Sequence, residues 1–124
     1  MLDLRRFFRA FVAAAGGLAE TARYEQNFRI HALVAVAAVA FSVYLKLTAV
    51  EMSVIVLCCG AVLSLELVNT AIERVVDKVS PGKNELARQA KDCAAAAVLM
   101  GAGTSLVIAG LIWGPKVLKL LAPA

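Results

Sequence analysis

The stretch CAAAAVLMGAGTSLVIAGLIWG, from Cys93 to Gly114, is 22 residues long and carries no charge. Wound as a helix at about 1.5 Å per residue it reaches roughly 33 Å, enough to cross a hydrocarbon core of about 30 Å. Two more stretches share its character. Met52 to Ile72 is 21 residues with a single charge, Glu66, and Ala32 to Leu45 is 14 residues with none. Ile30 and His31 extend the latter at one end, and Leu47 to Val50 extend it past Lys46, whose long stem can snorkel. The whole chain has 124 residues, of which 61% are apolar and 18% charged. Soluble domains run at about 45–50% apolar and about 25% charged. The mean hydropathy is +0.80. A small globule has too much surface for its volume to keep that much apolar area from water. The solvent is a bilayer, and the predicted fold is an all-α integral membrane protein of one domain, residues 1–124.

Three spans are expected, near 30–48, 51–77 and 90–114. Trp113-Gly114-Pro115 reads as an interfacial aromatic followed by a helix breaker. Thr48 and Glu51 suit a tight turn and a helix N-terminus. Ser80-Pro81-Gly82-Lys83-Asn84 is the strongest turn signal. Ahead of the spans, Leu4, Phe7, Phe8, Phe11, Val12, Ala15 and Leu18 repeat at helical spacing, with Arg5, Arg6 and Arg9 on the other side. This predicts an amphipathic surface helix near 4–22, weakened at Gly16-Gly17. Arg5-Arg6 before an Ala-rich run also looks like a twin-arginine signal, but Arg9 and the glycines interrupt the apolar region. Cys58, Cys59 and Cys93 are read as small apolar fillers, since an odd, scattered set makes no disulfide framework.

Basic residues orient the chain. Residues 1–29 hold five, the loop from Glu73 to Lys91 another five, and the opposite side only Lys46, Lys116 and Lys119. The positive-inside rule puts the N-terminus and the 73–91 loop in the cytoplasm and the C-terminus outside. The net charge of +4 suits anionic headgroups and phosphates. Nucleic acid is not an expected partner, because the basic residues flank spans.

The chemistry gathers around the one intramembrane carboxylate. Ionisable side chains are costly in a span and mark function by default. Glu66, Asn69, Thr70, Glu73 and Asp77 are offset by 0, 3, 4, 7 and 11 positions. They fall within about 100° of arc on one helix face and descend about 16 Å toward the cytoplasmic loop. One helix cannot wrap all three carboxylates around one ion. Glu73 and Asp77 are one turn apart, and Glu25, in Arg23-Tyr24-Glu25-Gln26-Asn27, is the candidate from a second segment. Such oxygens suit Mg²⁺, which takes few carboxylates plus waters and substrate phosphates. Lys91 can neutralise phosphate, and Asp92 is expected to cap the third span. Carboxylates for metal and proton together with cations for phosphate are what phosphoryl transfer requires. The acceptor would be a lipid hydroxyl near Glu66, which is placed to act as general base. No P-loop or protein-kinase motif is present. Two other classes fit less well. An ion-coupled transporter or channel subunit would use Glu66 as a relay, but the polar stripe leads to one side only. A structural membrane subunit leaves the stripe unexplained. His31 reads as an interfacial polar residue, and Tyr24 and Trp113 as interface anchors.

The run Glu66-Leu67-Val68-Asn69-Thr70-Ala71-Ile72-Glu73-Arg74-Val75-Val76-Asp77 resembles the signature of the small prokaryotic diacylglycerol and undecaprenol kinases. Ala90-Lys91-Asp92 followed by Ala94 to Leu99 resembles a second family block, and Glu25-x-Asn27-Phe28-Arg29-Ile30-His31 a third. About residues 5–114 are covered. The resemblance implies a membrane lipid kinase of three spans and a surface helix, assembled as a homotrimer with active sites shared between subunits. It implies Glu66 as base, and Glu25 and Glu73 as ligands of the Mg²⁺ that carries ATP. Nucleotide contacts are implied for Arg6, Glu25, Asn69, Glu73, Asp77, Gly82, Lys83, Asn84, Lys91 and Asp92. Lipid contacts are implied for Arg6, Arg9, Glu66 and Ala95. Asn84 stands where the family often has histidine, Gly82 where an acidic residue can occur, and Ala13 and Ala14 replace more polar residues. His31, Thr70 and Arg74 lean toward the undecaprenol branch. The implied location is the inner or plasma membrane, with the site on its cytoplasmic side.

Overall fold

A computed structural model describes residues 3–122 as four helices: α1 (Leu4–Tyr24), α2 (Gln26–Tyr44), α3 (Ala49–Val79) and α4 (Glu85–Leu121). The predicted domain bounds, 1–124, reach two residues past the described stretch at each end. α2, α3 and α4 are each long and apolar enough to cross a membrane. No strand occurs among the described residues.

The helix boundaries have local causes. Asp3 caps α1, its carboxylate accepting the Arg6 N–H at 3.1 Å. α1 runs unbroken through Gly16-Gly17. A single extended residue, Glu25, separates it from α2. The Glu25 N–H closes α1 on the Thr21 carbonyl at 2.9 Å, while its own carbonyl accepts from the Arg29 N–H at 3.3 Å. α2 therefore begins at Gln26, four residues before the predicted start. It also stops earlier than predicted, at Tyr44 rather than 48. There the Lys46 N–H donates to the Val43 carbonyl at 3.0 Å and the Leu47 N–H to the Ser42 carbonyl at 3.2 Å. These are the two bonds of a Schellman ending, with Lys46 left-handed at φ 52° where glycine is usual. α3 opens two residues on with a capping box: the Thr48 N–H donates to Glu51 at 2.7 Å and the Glu51 N–H to Thr48 Oγ1 at 3.3 Å.

α4 departs most from expectation. It starts at Glu85, capped by Asn84, whose side chain accepts the Ala87 N–H at 3.1 Å. Asp92 is therefore inside the helix and does not cap it. α4 also continues through Pro115 to Leu121. Proline removes one backbone bond, but in an apolar medium every other peptide group still needs its helical partner, so the helix persists.

α3 is the central element, packed on both α2 and α4. Its buried residues include Ile55 and Val62, and α4 contributes Ala94, Val98 and Ala109. Small residues bring α3 and α4 close: a Cβ on Gly101 would stand 2.5 Å from Leu65 Cδ1. At the end away from Glu66, Trp113 Nε1 donates to the fully buried Ser42 Oγ at 3.0 Å, and Phe41 meets the indole edge-on at 5.1 Å. Lys116 pairs with Glu51 there at 2.9 Å. Trp113 is thus an interhelical tie about two turns inside α4, not an aromatic at the helix end. The outer faces expose Leu33, Val36, Leu57, Leu99, Leu106 and Leu111, a surface suited to hydrocarbon. α1 stands largely apart, with Thr21 its one buried residue and Phe7, Phe8 and Phe11 exposed.

Candidate active site

The polar stripe occupies the face of α3 turned into the bundle. Glu66, Asn69 and Thr70 are buried there, in a helix otherwise packed with aliphatic side chains. The Asn69 amide donates to Glu73 Oε1 at 3.2 Å, and its Oδ1 is buried without a partner. An unpartnered buried oxygen is rare, because desolvating it costs about 1–3 kcal/mol. It marks a place where a donor or a cation belongs.

His31, Glu73 and Glu25 are the titratable side chains nearest in influence to Glu66. α2 packs on α3, and the Arg74–Glu25 ion pair sets the α1–α2 joint beside the helix that carries the stripe. His31, read from sequence as an interfacial polar residue, belongs to this group. Glu25 is held by a contact that sequence reading missed. Arg74 on α3 reaches Glu20 at 3.0 Å and Glu25 at 3.1 Å, clasping α1 and the α1–α2 joint together. The resemblance used Arg74 only to choose a branch. Its neighbour Glu73 pointed to the site, but nothing in the spacing showed that Glu20 and Glu25 would come within reach.

Among the described residues no three histidine, cysteine or acidic side chains form a closed metal cage. Mg²⁺ does not need one, since it takes one or two carboxylates and completes its shell with water and phosphate. Glu73 and Asn69 are hydrogen-bonded to each other on α3, while Glu25 Oε1 is held by Arg74 at 3.1 Å.

Below the stripe a cavity of about 620 Å³ opens between the end of α3 and the start of α4. Asp77, Gly82, Lys83, Asn84, Lys91 and Asp92 all line it, so six of the proposed nucleotide contacts meet in one place. Its volume is in the range of small-molecule sites, about 300–1,000 Å³. Lys91 Nζ pairs with Asp77 at 2.9 Å. Asp92 pairs with Arg88, which also binds Glu85 at 2.6 Å. By charge alone Arg88 is one of five basic residues from Glu73 to Lys91. Its spacing from Glu85 and Asp92, three and four positions, was visible in the sequence as a helical ion-pair pattern. Arg6 and Arg9 are exposed on α1, away from this cavity's lining, and Ala95 is exposed on α4 beside the buried Ala94.

Three apolar helices, one bearing a buried carboxylate and amide face that leads to a cavity lined by both acidic and basic side chains at the bundle's end, define an integral membrane protein with a polar site at that end. The chain belongs to the prokaryotic diacylglycerol kinase family, whose model matches residues 12–113. It is 45% identical over 114 residues to the undecaprenol kinase of Bacillus subtilis, covering 92% of this chain and 93% of that one. It is 39% identical to a diacylglycerol kinase of Synechocystis, covering 90% of this chain and 65% of the relative. To the diacylglycerol kinase of Escherichia coli K12 it is 30% identical, over 86% and 87% of the two chains. The protein is a membrane lipid kinase.

Proposed function

We propose that the protein transfers the γ-phosphoryl group of MgATP to the hydroxyl of a membrane lipid at the cytoplasmic face of the cell membrane, with undecaprenol favoured over diacylglycerol. The observation that carries this reading is the position of Glu66. It is a buried carboxylate at the inner end of a polar face whose other end meets the cavity that Lys83 and Lys91 line together with Asp77 and Asp92. A lipid alcohol presents its hydroxyl at that boundary. Glu66 accepts the proton as the lipid oxygen bonds to the γ-phosphorus, and the bond from that phosphorus to the β,γ-bridging oxygen breaks to release ADP.

Lys91 and Lys83 neutralise phosphate charge, and Asn84 both caps α4 and lines the nucleotide cavity. Glu25 and Glu73 would hold Mg²⁺, with Asn69 orienting Glu73. When bound, the ion offsets the charge of the phosphates being transferred. Asp77 positions Lys91, and Asp92 positions Arg88. Arg6 and Arg9, exposed on α1, meet phosphate or lipid headgroups, and Ala95 faces the lipid. The proposed enzyme is a homotrimer in which neighbouring subunits complete each site, as the resemblance of the sequence blocks implies.

The preference for undecaprenol rests on His31, Thr70 and Arg74, and the greater identity to the Bacillus undecaprenol kinase supports it. The test offers diacylglycerol and undecaprenol side by side in mixed micelles with labelled ATP. Label is expected in both lipids or in undecaprenol alone. Label in neither, from a folded preparation, would overturn the reading. Label in diacylglycerol alone would reverse the preference.

A further inference from the structure

The end of the bundle remote from Glu66 carries a second charged feature that the kinase chemistry does not use. α4 continues past Pro115, so Lys116 and Lys119 lie three positions apart on one face of its last turns. Across from them, the end of α2 presents Lys46. The three lysines line one cavity of about 330 Å³ with Tyr44, Leu45 and Leu120. Glu51 pairs with Lys116 and is also bound by Thr48. Among the described residues neither Lys46 nor Lys119 forms an ion pair. Two uncompensated ammonium groups therefore face one small space. Lys46 is moreover the single non-glycine residue with positive φ among those described, at the position of a helix ending where glycine is usual.

We propose that this cavity binds the headgroup of an anionic phospholipid, in the leaflet opposite the kinase site. Charge selects the phosphate: Lys46 and Lys119 both line the cavity without an ion pair, and Glu51, the carboxylate on Lys116, is already paired. The walls select a lipid over a free anion. Leu45 and Leu120 line the cavity, and the neighbouring Val43 and Leu118 are exposed on the outer faces of α2 and α4. An acyl chain leaving the headgroup would continue along that apolar surface. Lysines flanking spans attract anionic headgroups by this mechanism, and each contributes about fivefold in affinity near a membrane surface.

The test uses the full chain in phosphatidylcholine nanodiscs titrated with phosphatidylglycerol, with lipid retention read by native mass spectrometry. Wild type is expected to retain phosphatidylglycerol in preference to phosphatidylcholine. Lys46→Gln with Lys119→Gln should lower that retention roughly 30-fold, about fivefold per charge. Lys46→Gly should lower it about fivefold while leaving thermal stability equal or higher, which excludes misfolding as the cause. Arg23→Gln with Lys78→Gln, removing two charges elsewhere, should leave retention unchanged. Equal retention by wild type and the Lys46/Lys119 variant would overturn the proposal. So would an equal loss in the Arg23/Lys78 control, which would mean general charge attraction. Displacement of phosphatidylglycerol by millimolar inorganic phosphate would overturn it too, since the site would then be one for a free anion.

Discussion

Glu66 and Glu73 stand two turns apart on one helix, and their surroundings divide the labour between them. Glu66 is buried in the bundle, whereas Glu73 accepts from Asn69 and lies nearer the open cavity. Glu66→Gln keeps the shape but cannot accept a lipid proton. A positioned general base contributes about 10²–10⁴-fold, and turnover is expected to fall by at least that order. MgATP affinity should survive, because the change lies about two turns from Glu73. The variant should still insert, since a neutral amide in a span costs less than a carboxylate. Lipid phosphorylation and ATP affinity measured on one preparation decide the matter. Full phosphorylation would return Glu66 to a packing role. Glu73→Gln is expected to show the reverse pattern, with weaker metal-dependent nucleotide binding read by titration with Mn²⁺ as the probe ion. Unchanged metal dependence and turnover would remove Glu73 from the metal set.

Between helices the deciding contact is the approach of α4 to α3 at Gly101. A Cβ there meets Leu65 at 2.5 Å, so something must shift to admit it. Overpacking of this kind costs about 1–3 kcal/mol, while alanine in a helix gains about 1 kcal/mol over glycine. Gly101→Ala is therefore expected to destabilise the protein modestly in the wild-type background. In a Leu65→Ala background the clash is gone, and the same change should stabilise by up to about 1 kcal/mol. Unfolding in mixed micelles measures both arms. Destabilisation of equal size in the two backgrounds would show that Leu65 is not what limits the approach.

At the scale of the molecule the charge asymmetry predicts the topology. The lysine-lined end at Lys46, Lys116 and Lys119 is expected outside, and the cavity lined by Lys83 and Lys91 inside, where ATP is. A cysteine appended after Ala124, which lies outside the described residues, should react with an impermeant reagent added externally, in a chain whose Cys58, Cys59 and Cys93 are replaced. Labelling only after permeabilisation would reverse the orientation and separate the carboxylate site from cytoplasmic nucleotide. The same experiment bears on α1, whose exposed Phe7, Phe8 and Phe11 would then lie on the cytoplasmic surface.

Hydrophobic length and helical spacing are local properties, and for that reason the chain by itself determined the three spans and the face shared by Glu66, Asn69, Glu73 and Asp77. Thr48 and Glu51 were legible as a helix start because a capping box lies within four consecutive residues. Helix ends were less legible. Pro115 reads as a stop in water, where a freed carbonyl finds another partner, but not in an apolar medium, where it does not. Asp92 reads as a cap until Asn84 is seen to begin α4 five residues earlier than the predicted start at 90. Contacts between distant segments could not be read from spacing at all. Arg74 lies 54 and 49 positions from the glutamates it joins, and Trp113 lies 71 from Ser42. Only the packing of α1, α2 and α4 on α3 brings those groups within hydrogen-bond reach. That packing depends on shape, on the small residues that admit close approach, and on the need of each buried polar atom for a partner.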